Sequence, residues 1–340
     1  MIESKEKRFE QDIETSLTTD GGWKSVRFQD TNYDPEIGLD PVCLIDFVKE
    51  TQPRSWKRYE FIYKEEAEAR FIKRFNDEVR MHGMLHVLRK GIRDRGVKFD
   101  VIYFRPVSSL SYEHIENYNA NRFYVVRQFY YSSKNRNSID MVLMINGIPL
   151  VALELKNQYT GQTVDNAKLQ FERDRDPREI VFRFNSRFLV YFAVDHYEVY
   201  MTTKLARKNT YFLPFNQGSN GPGQVGGAGN PENPNGYPTS YLWEQVLHRN
   251  QLMDIIENFL NVEESKGILI FPRYHQLDVV NKLVLDVSDK GPGENYLIQH
   301  SAGSGKSNSI AWLAYQLASL HDEDNNPIFS STIIVTDRVV

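Results

Sequence analysis

The chain has 340 residues, 41% hydrophobic and 25% charged, with a formal net charge of −4. That length supports about two domains with a sizeable core, and the composition excludes a disordered or collagen-like chain. A near-neutral balance leaves any nucleic-acid contact to local patches, and the lone cysteine, Cys43, excludes intrachain disulfides and a cysteine-rich zinc site. The opening MIESKEKRFE lacks the apolar core of a secretory signal. The longest mostly apolar stretch, 141–153, is short and interrupted by Asn146, Gly147 and Pro149. The reading is a cytoplasmic α/β chain without a membrane span.

In chain order, 9–17 and 65–90 read as helices; in the second, Phe71, Phe75, Val79, Leu85 and Leu88 recur near helical spacing. His82 and His86, four apart, resemble metal-ligand spacing, but Gly83 stands where a zinc protease needs Glu and no third ligand is evident, so they read as surface or packing histidines. The run FYVVRQFYY at 123–131 is β-branched and aromatic, hence a strand; 139–145 and 150–155 are two more, joined around Asn146-Gly147. Thr163 caps a helix with Val164, Ala167 and Phe171 on one face, and 187–194 and 198–202 return to strand character. Helix, three strands, helix, two strands make an α/β layer with a mixed sheet.

The segment 216–236, NQGSNGPGQVGGAGNPENPNG, cannot bury enough surface to offset its ordering entropy and reads as a flexible loop or linker. Beyond it, 242–260 is helical, 296–299 is a short apolar strand, 307–320 is a helix burying Ile310, Leu313, Ala314 and Leu317, and 332–336 is a strand. Strand, Gly-rich turn, helix, strand is a βαβ unit. The expected organisation is a first domain at 1–213, a loop or linker at 214–236, a helical connector at 237–265, and the beginning of a second α/β domain at 266–340.

The stretch SIDMVLMINGIPLVALELKN (138–157) places Asp140 on one strand and Glu154-Leu155-Lys156 on the next. Glu154 and Lys156 share a face because strand side chains alternate. A two-residue Asn146-Gly147 loop would set Asp140 opposite residue 153, on the wrong side. A three-residue loop, 145–147, or a bulge elsewhere in the hairpin, brings Asp140 to the Glu154 side. Converged, two carboxylates offer hard oxygen ligands to Mg²⁺, and Lys156 can orient or deprotonate a water or neutralise charge growing on a phosphate. The plainer alternative is a surface ion pair between Glu154 and Lys156. Arg127, Lys134 and Arg136 before the site, and Lys168, Arg173, Arg175 and Arg178 after it, form a candidate basic groove for phosphates. Residues 168–178 read equally as a solvated helix face balanced by Glu172, Asp174 and Asp176.

QHSAGSGKS (299–307) fits the phosphate-loop pattern except that His300 stands where the first glycine belongs. Gly303, Ser304 and Gly305 turn backbone N–H groups toward a phosphate, Lys306 reaches the β/γ-phosphates of ATP, and Ser307 ligates Mg²⁺. Gln276 precedes a helical pattern and reads plainly as a helix start. No apolar strand ending in a carboxylate pair follows the loop. The chain therefore reads as the N-terminal piece of a longer polypeptide, with ATP hydrolysis absent or very weak on its own.

RQFYYSSKNRNSIDMVLMINGIPLVALELKN, RDRDPREIVFRF, the GAGNP loop, FPRYHQLDVV, NYLIQHSAGSGKSNSIAWLA and IIVTDRVV together resemble the restriction (R, motor–nuclease) subunit of type I restriction–modification enzymes. The resemblance implies a PD-(D/E)xK nuclease domain of RecB-like type with Asp140, Glu154 and Lys156 catalytic and Asp140 and Glu154 on the metal. It also implies the beginning of a RecA-like helicase domain, with 303–307 as motif I, Gln276 in the adenine-reading Q-motif region and IIVTDR as motif Ia. Cofactors would be Mg²⁺ and ATP. Partners would be double-stranded DNA, cut away from the recognition site, and the methyltransferase and specificity subunits. The family's proline is replaced by Ile139. Its Q-x-x-x-Y element has Gln170 as nearest match, with Asp174 in place of Tyr. Glu10 or Glu14 is a candidate additional acid. The rival readings are a stand-alone helicase–nuclease of repair type and a non-catalytic DNA-binding module.

Overall fold

The computed structural model describes residues 2–106, 112–158, 161–322 and 325–335, with the backbone alone at 2–6. Its centre is a seven-stranded mixed sheet whose strands lie in chain order: β1 (Lys24–Ser25), β2 (Phe123–Tyr130), β3 (Ser138–Ile145), β4 (Ile148–Leu155), β5 (Val190–Val194), β6 (Val199–Thr202) and β7 (Leu213–Pro214). The β1/β2 and β4/β5 pairs are parallel and the others antiparallel. The two edge strands are two residues long and carry no sequence signal. The expected α/β layer with a mixed sheet is present.

Among the described residues there are ten α-helices: α1 (Ile2–Thr19), α2 (Pro41–Thr51), α3 (Pro53–Tyr63), α4 (Ala67–His82), α5 (Met84–Lys90), α6 (Tyr112–Asn119), α7 (Val164–Asp174), α8 (Arg249–Asp254), α9 (Tyr274–Lys290) and α10 (Lys306–Ala318). Phe9, Ile13 and Leu17 of α1 join Met141, Leu143 and Leu153 in a large core on one face of the sheet, which extends to Leu277 and Trp312. Val164, Ala167 and Phe171 of α7 join Val142, Met144 and Ala152 on the other face. Central strands covered on both faces become uniformly apolar, and a charge in them needs its own explanation.

The 65–90 helix is broken. Gly83, at φ 82, separates α4 from α5, and the side chain of Asn185 fills the space where a Cβ would stand. The 242–260 helix is also broken, at His248 (φ −55, ψ 134), and the turns on either side are wide, closing through Leu247 N–H to Leu242 O (2.8 Å) and Leu260 N–H to Ile255 O (3.0 Å). Residues 216–236 contain no helix or strand but close on themselves through Gly218 N–H to Gly229 O (2.8 Å) and Ser219 N–H to Gly227 O (3.0 Å).

The expected βαβ unit around the phosphate loop is not formed. Residues 296–299 and 332–335 are not strands, and Leu297, Ile333 and Val335 are 93%, 83% and 89% exposed. A strand exists only through a ladder partner, and none of the described residues pairs with either segment. Residue 336 and the rest of IIVTDR lie outside the described residues. α10 buries Ser309 and Trp312, with Trp312 5.5 Å from Phe259, whereas Ile310 is exposed.

Candidate active site

The hairpin β3/β4 decides which side chains meet. Asn146 and Gly147 form a two-residue turn with φ 51 and 81 at the two positions, the mirror-image geometry that matches strand twist. Asn146 is fully buried: its Oδ1 accepts Arg122 N–H (2.7 Å) and its Nδ2 donates to Val101 O (2.9 Å) and Asn121 Oδ1 (3.0 Å). The three-residue loop is therefore corrected to two, because Ile145 pairs with Ile148. The bulge, however, exists. Met144 faces Pro149 but Leu143 faces Val151, so Leu150 is the extra residue. Proline has no N–H to give the ladder, which makes this an inexpensive place to insert one. Beyond it Met141 faces Leu153, and continuing that register sets Asp140 opposite Glu154.

The pleat also reverses next to Asp140. Val126 and Phe129, three apart, both face the α7 side, as do Ile139 and Val142. The reversal falls at Gln128, whose φ of 50 is unusual for a residue with a side chain. Gln128 Nε2 donates to Glu10 Oε1 (3.1 Å) and its Oε1 accepts Ser138 Oγ–H (2.9 Å). Strained backbone of this kind gathers at functional sites.

The three predicted residues are brought together. Asp140 Oδ2 accepts Leu155 N–H (2.8 Å) and lies 3.6 Å from Lys156 Nζ. Glu154 is fully buried; its Oε1 accepts Arg175 Nε–H (2.9 Å) and Nη2–H (2.5 Å), and its Oε2 has no hydrogen-bond partner among the described residues. Burial, reinforced by Asp140, pushes the Glu154 carboxyl well above the usual carboxylate range. A buried acid with one idle oxygen beside a second acid suits a hard cation. Asp140 and Glu154 would hold it; among the described residues no group of three His, Cys, Asp or Glu side chains is gathered closely enough to hold a metal by themselves.

Glu10 and Glu14 are both paired to Arg127, at 3.1 and 3.0 Å, and Gln128 Nε2 also donates to Glu10 Oε1 (3.1 Å), so the two remain alternatives. Burial and then Asp140 raise the Glu10 carboxyl, while Arg127 holds it down. Glu14 is engaged with Arg127 Nη1 (3.0 Å) and Ser25 Oγ (2.5 Å). Gln170 is half-buried and Asp174 is exposed, so no Q-x-x-x-Y pair is built; the Asp174 carbonyl accepts Tyr131 Oη–H (2.9 Å).

The basic groove needs the largest correction. Arg175 is 1% exposed and faces neither phosphates nor solvent. Arg127 is bound to Glu10 and Glu14, Lys168 to Asp165 (2.6 Å), and Arg178 to Asp176 (2.7 Å). Lys134, Arg136 and Arg173 remain exposed and without an ion pair among the described residues. Arg175 hid in the sequence because Asp174 and Asp176 flank it, giving the pattern of a balanced surface; its place just past the end of α7, before Pro177, is the only hint of a turn back into the fold. The rings of His82 and His86 lie 4.9 Å apart and tilted, and His82 Nε2 lies 3.6 Å from Glu78.

The glycine-rich segment 303–307 forms a turn that leads into α10. Gly303 and Gly305 have φ 72 and 82, and α10 begins at Lys306. Lys306 Nζ now donates to His300 O (3.1 Å) and Ser301 O (2.9 Å), and Ser307 is exposed. Gln276 is buried behind the loop. Its Oε1 accepts Arg273 N–H (2.8 Å) and its Nε2 donates to Ser304 O (3.2 Å) and Gly305 O (2.9 Å). It is both a helix-start residue and a brace for the loop. Ser304 Oγ is buried without a hydrogen-bond partner among the described residues.

The model of the N terminus of type I restriction enzyme R proteins matches residues 7–210. The HindI endonuclease subunit of Haemophilus influenzae strain Rd, a type I restriction enzyme subunit, is 26% identical over 273 residues, covering 76% of this chain and 24% of that protein. The type I restriction enzyme SauCOLORF180P endonuclease subunit of Staphylococcus aureus strain COL is 24% identical over 222 residues, covering 65% of this chain and 22% of that protein. The matched region thus spans about a quarter of the length of these relatives. Among the described residues no helix is long and apolar enough to cross a membrane.

Proposed function

The chain belongs to the family of type I restriction enzyme R proteins, matching its N-terminal model over 7–210, and on that premise we propose that it carries a PD-(D/E)xK nuclease site and the beginning of an ATP-driven DNA translocase. The observation that carries the nuclease reading is the meeting of Asp140, Glu154 and Lys156 at one end of the β3/β4 hairpin, with Glu154 Oε2 buried and idle. Asp140 and Glu154 would hold Mg²⁺, which supplies an acidified water and charge to stabilise a pentavalent phosphate. Lys156, anchored near Asp140 Oδ2, orients a proton or offsets negative charge at the scissile phosphate. The substrate is double-stranded DNA, whose target choice belongs to partner methyltransferase and specificity subunits.

The loop 303–307 and the start of α10 are suited to the phosphates of ATP: Lys306 would hold phosphate oxygens and Ser307 would hold the accompanying Mg²⁺, which would supply charge to offset that of the phosphates. Gln276 holds the loop carbonyls from behind. In the assembled full-length enzyme, Lys156→Ala abolishes DNA cleavage and leaves ATP hydrolysis intact; retained cleavage would overturn the assignment. Lys306→Ala has the converse first effect, loss of ATP hydrolysis.

A further inference from the structure

Arg175 is among the most deeply buried large side chains of the molecule, yet it lies outside the three-residue constellation. All of its nitrogens are used. Nε and Nη2 both grip Glu154 Oε1, at 2.9 and 2.5 Å; Nη2 also donates to Ser138 O (2.7 Å), and Nη1 donates to Tyr131 Oη (3.2 Å). The guanidinium lies 5.2 Å from the centre of the Tyr131 ring. Tyr131 is itself fixed through the Asp174 carbonyl.

Two features separate this from an ordinary buried ion pair. A guanidinium normally meets a carboxylate as a fork, one nitrogen to each oxygen. Here both nitrogens converge on one oxygen, and Oε2 is left buried with no hydrogen-bond partner among the described residues. Moreover, the same guanidinium holds the first residue of β3, two positions before Asp140, so one side chain ties together the strands that carry both acids.

We infer that Arg175 is a positioning residue for the metal site: it fixes Glu154 by Oε1 so that Oε2 is presented, and holds the Asp140 strand in register beside it. This rests on the nuclease reading above. Arg175 touches neither metal nor DNA; it acts through Glu154 and Ser138. Residues that orient ligands in this way change metal affinity by roughly 10–100-fold when altered.

The test is Mn²⁺ affinity of the full 340-residue chain, measured by titration calorimetry for the parent, Glu154→Gln and Arg175→Lys. Lysine keeps a positive charge against Glu154 but cannot place two donors on one oxygen while also reaching Ser138 O. The expected result is an unaltered circular dichroism spectrum with Mn²⁺ bound on the order of 10-fold or more weakly. In the assembled enzyme the same variant should recover cleavage at saturating Mg²⁺, a recovery that a general loss of structure would not allow. Parent-like Mn²⁺ affinity in a folded Arg175→Lys chain overturns the inference. If that variant does not fold, Tyr131→Phe decides: it removes the support at Nη1 and leaves the ion pair, and Mn²⁺ affinity should fall about threefold, whereas no change overturns the inference. Glu154→Gln separates the two levels. If it leaves Mn²⁺ binding untouched, the metal-site reading fails; if it abolishes binding while Arg175→Lys does not weaken it, only the role of Arg175 fails.

Discussion

The acid cluster and the phosphate loop are built in opposite ways. The cluster is made by long-range pairing: Asp140 and Glu154 sit on strands flanked by others, one fully buried and held by an arginine from beyond α7. The loop is made locally, by two glycines with positive φ and the start of one helix. Its flanking apolar segments have no sheet to join among the described residues. The stronger sequence motif therefore sits in the less completed surroundings, and the weaker one, a single E-x-K, sits in a finished core. Motif specificity reports local geometry, whereas burial reports what the rest of the chain supplies.

Stability measurements on single variants break or sharpen this contrast. The largest effect is expected for Arg175→Ala, which leaves Glu154 buried without its partner and should lower unfolding free energy by about 3–5 kcal/mol in urea titrations. A loss under ~1 kcal/mol would mean that the cluster is not held by the core. Next, the exposed cations beside the cluster can be tested on DNA. Removing Lys134 and Arg136 together should reduce the slope of log affinity against log salt by roughly 2, while Arg178→Ala, whose partner is Asp176, leaves it unchanged.

A smaller effect concerns the joint between the two regions. Arg89 of α5 donates to Ile256 O and Leu260 O, both at 2.8 Å, on the segment whose Phe259 packs against Trp312. Burial, with Asp254 adding to it, pushes the nearby Glu257 carboxyl up to about 7 from an ordinary 4.5. Between those pH values the folded chain keeps a proton that the unfolded chain has released, so stability falls as pH rises from about 4.5 to 7. Glu257→Gln should remove a slope worth on the order of 1 kcal/mol after solvent screening. An identical pH profile for the variant would show that the joint is solvated. Smallest of all, Lys306→Ala should leave the melting temperature unchanged, since the Lys306 side chain is exposed and bonds only to carbonyls of its own loop.

Much of the sheet was legible because alternation and β-branched runs report burial directly: β2 through β6 lie where 123–131, 139–145, 150–155, 187–194 and 198–202 point. The edge strands were not, since two residues carry no period. The breaks at Gly83 and His248 escaped because the apolar spacing runs through them; the first follows from Asn185, about a hundred positions away. At the site, parity required either an odd loop or a bulge, and the structure chose the bulge. Arg175 was misassigned because composition averages charge along the chain, whereas its partner Glu154 is supplied by the fold. The Tyr296–Gln299 segment failed as a strand for the reciprocal reason, an apolar pattern with no neighbour to satisfy it.

The extra residue at Leu150 has a consequence for how this hairpin tolerates change. Facing is a matter of even and odd, so adding or deleting one residue between Asp140 and Glu154 is neutral only when a bulge is lost or gained with it. Deleting Leu150 itself would iron the ladder flat and keep the two acids abreast. A single insertion at the turn, with the bulge retained, would send Glu154 to the α1 side and bring a leucine round to Asp140. Length variation in related chains should accordingly come in twos, or in ones that trade against the bulge.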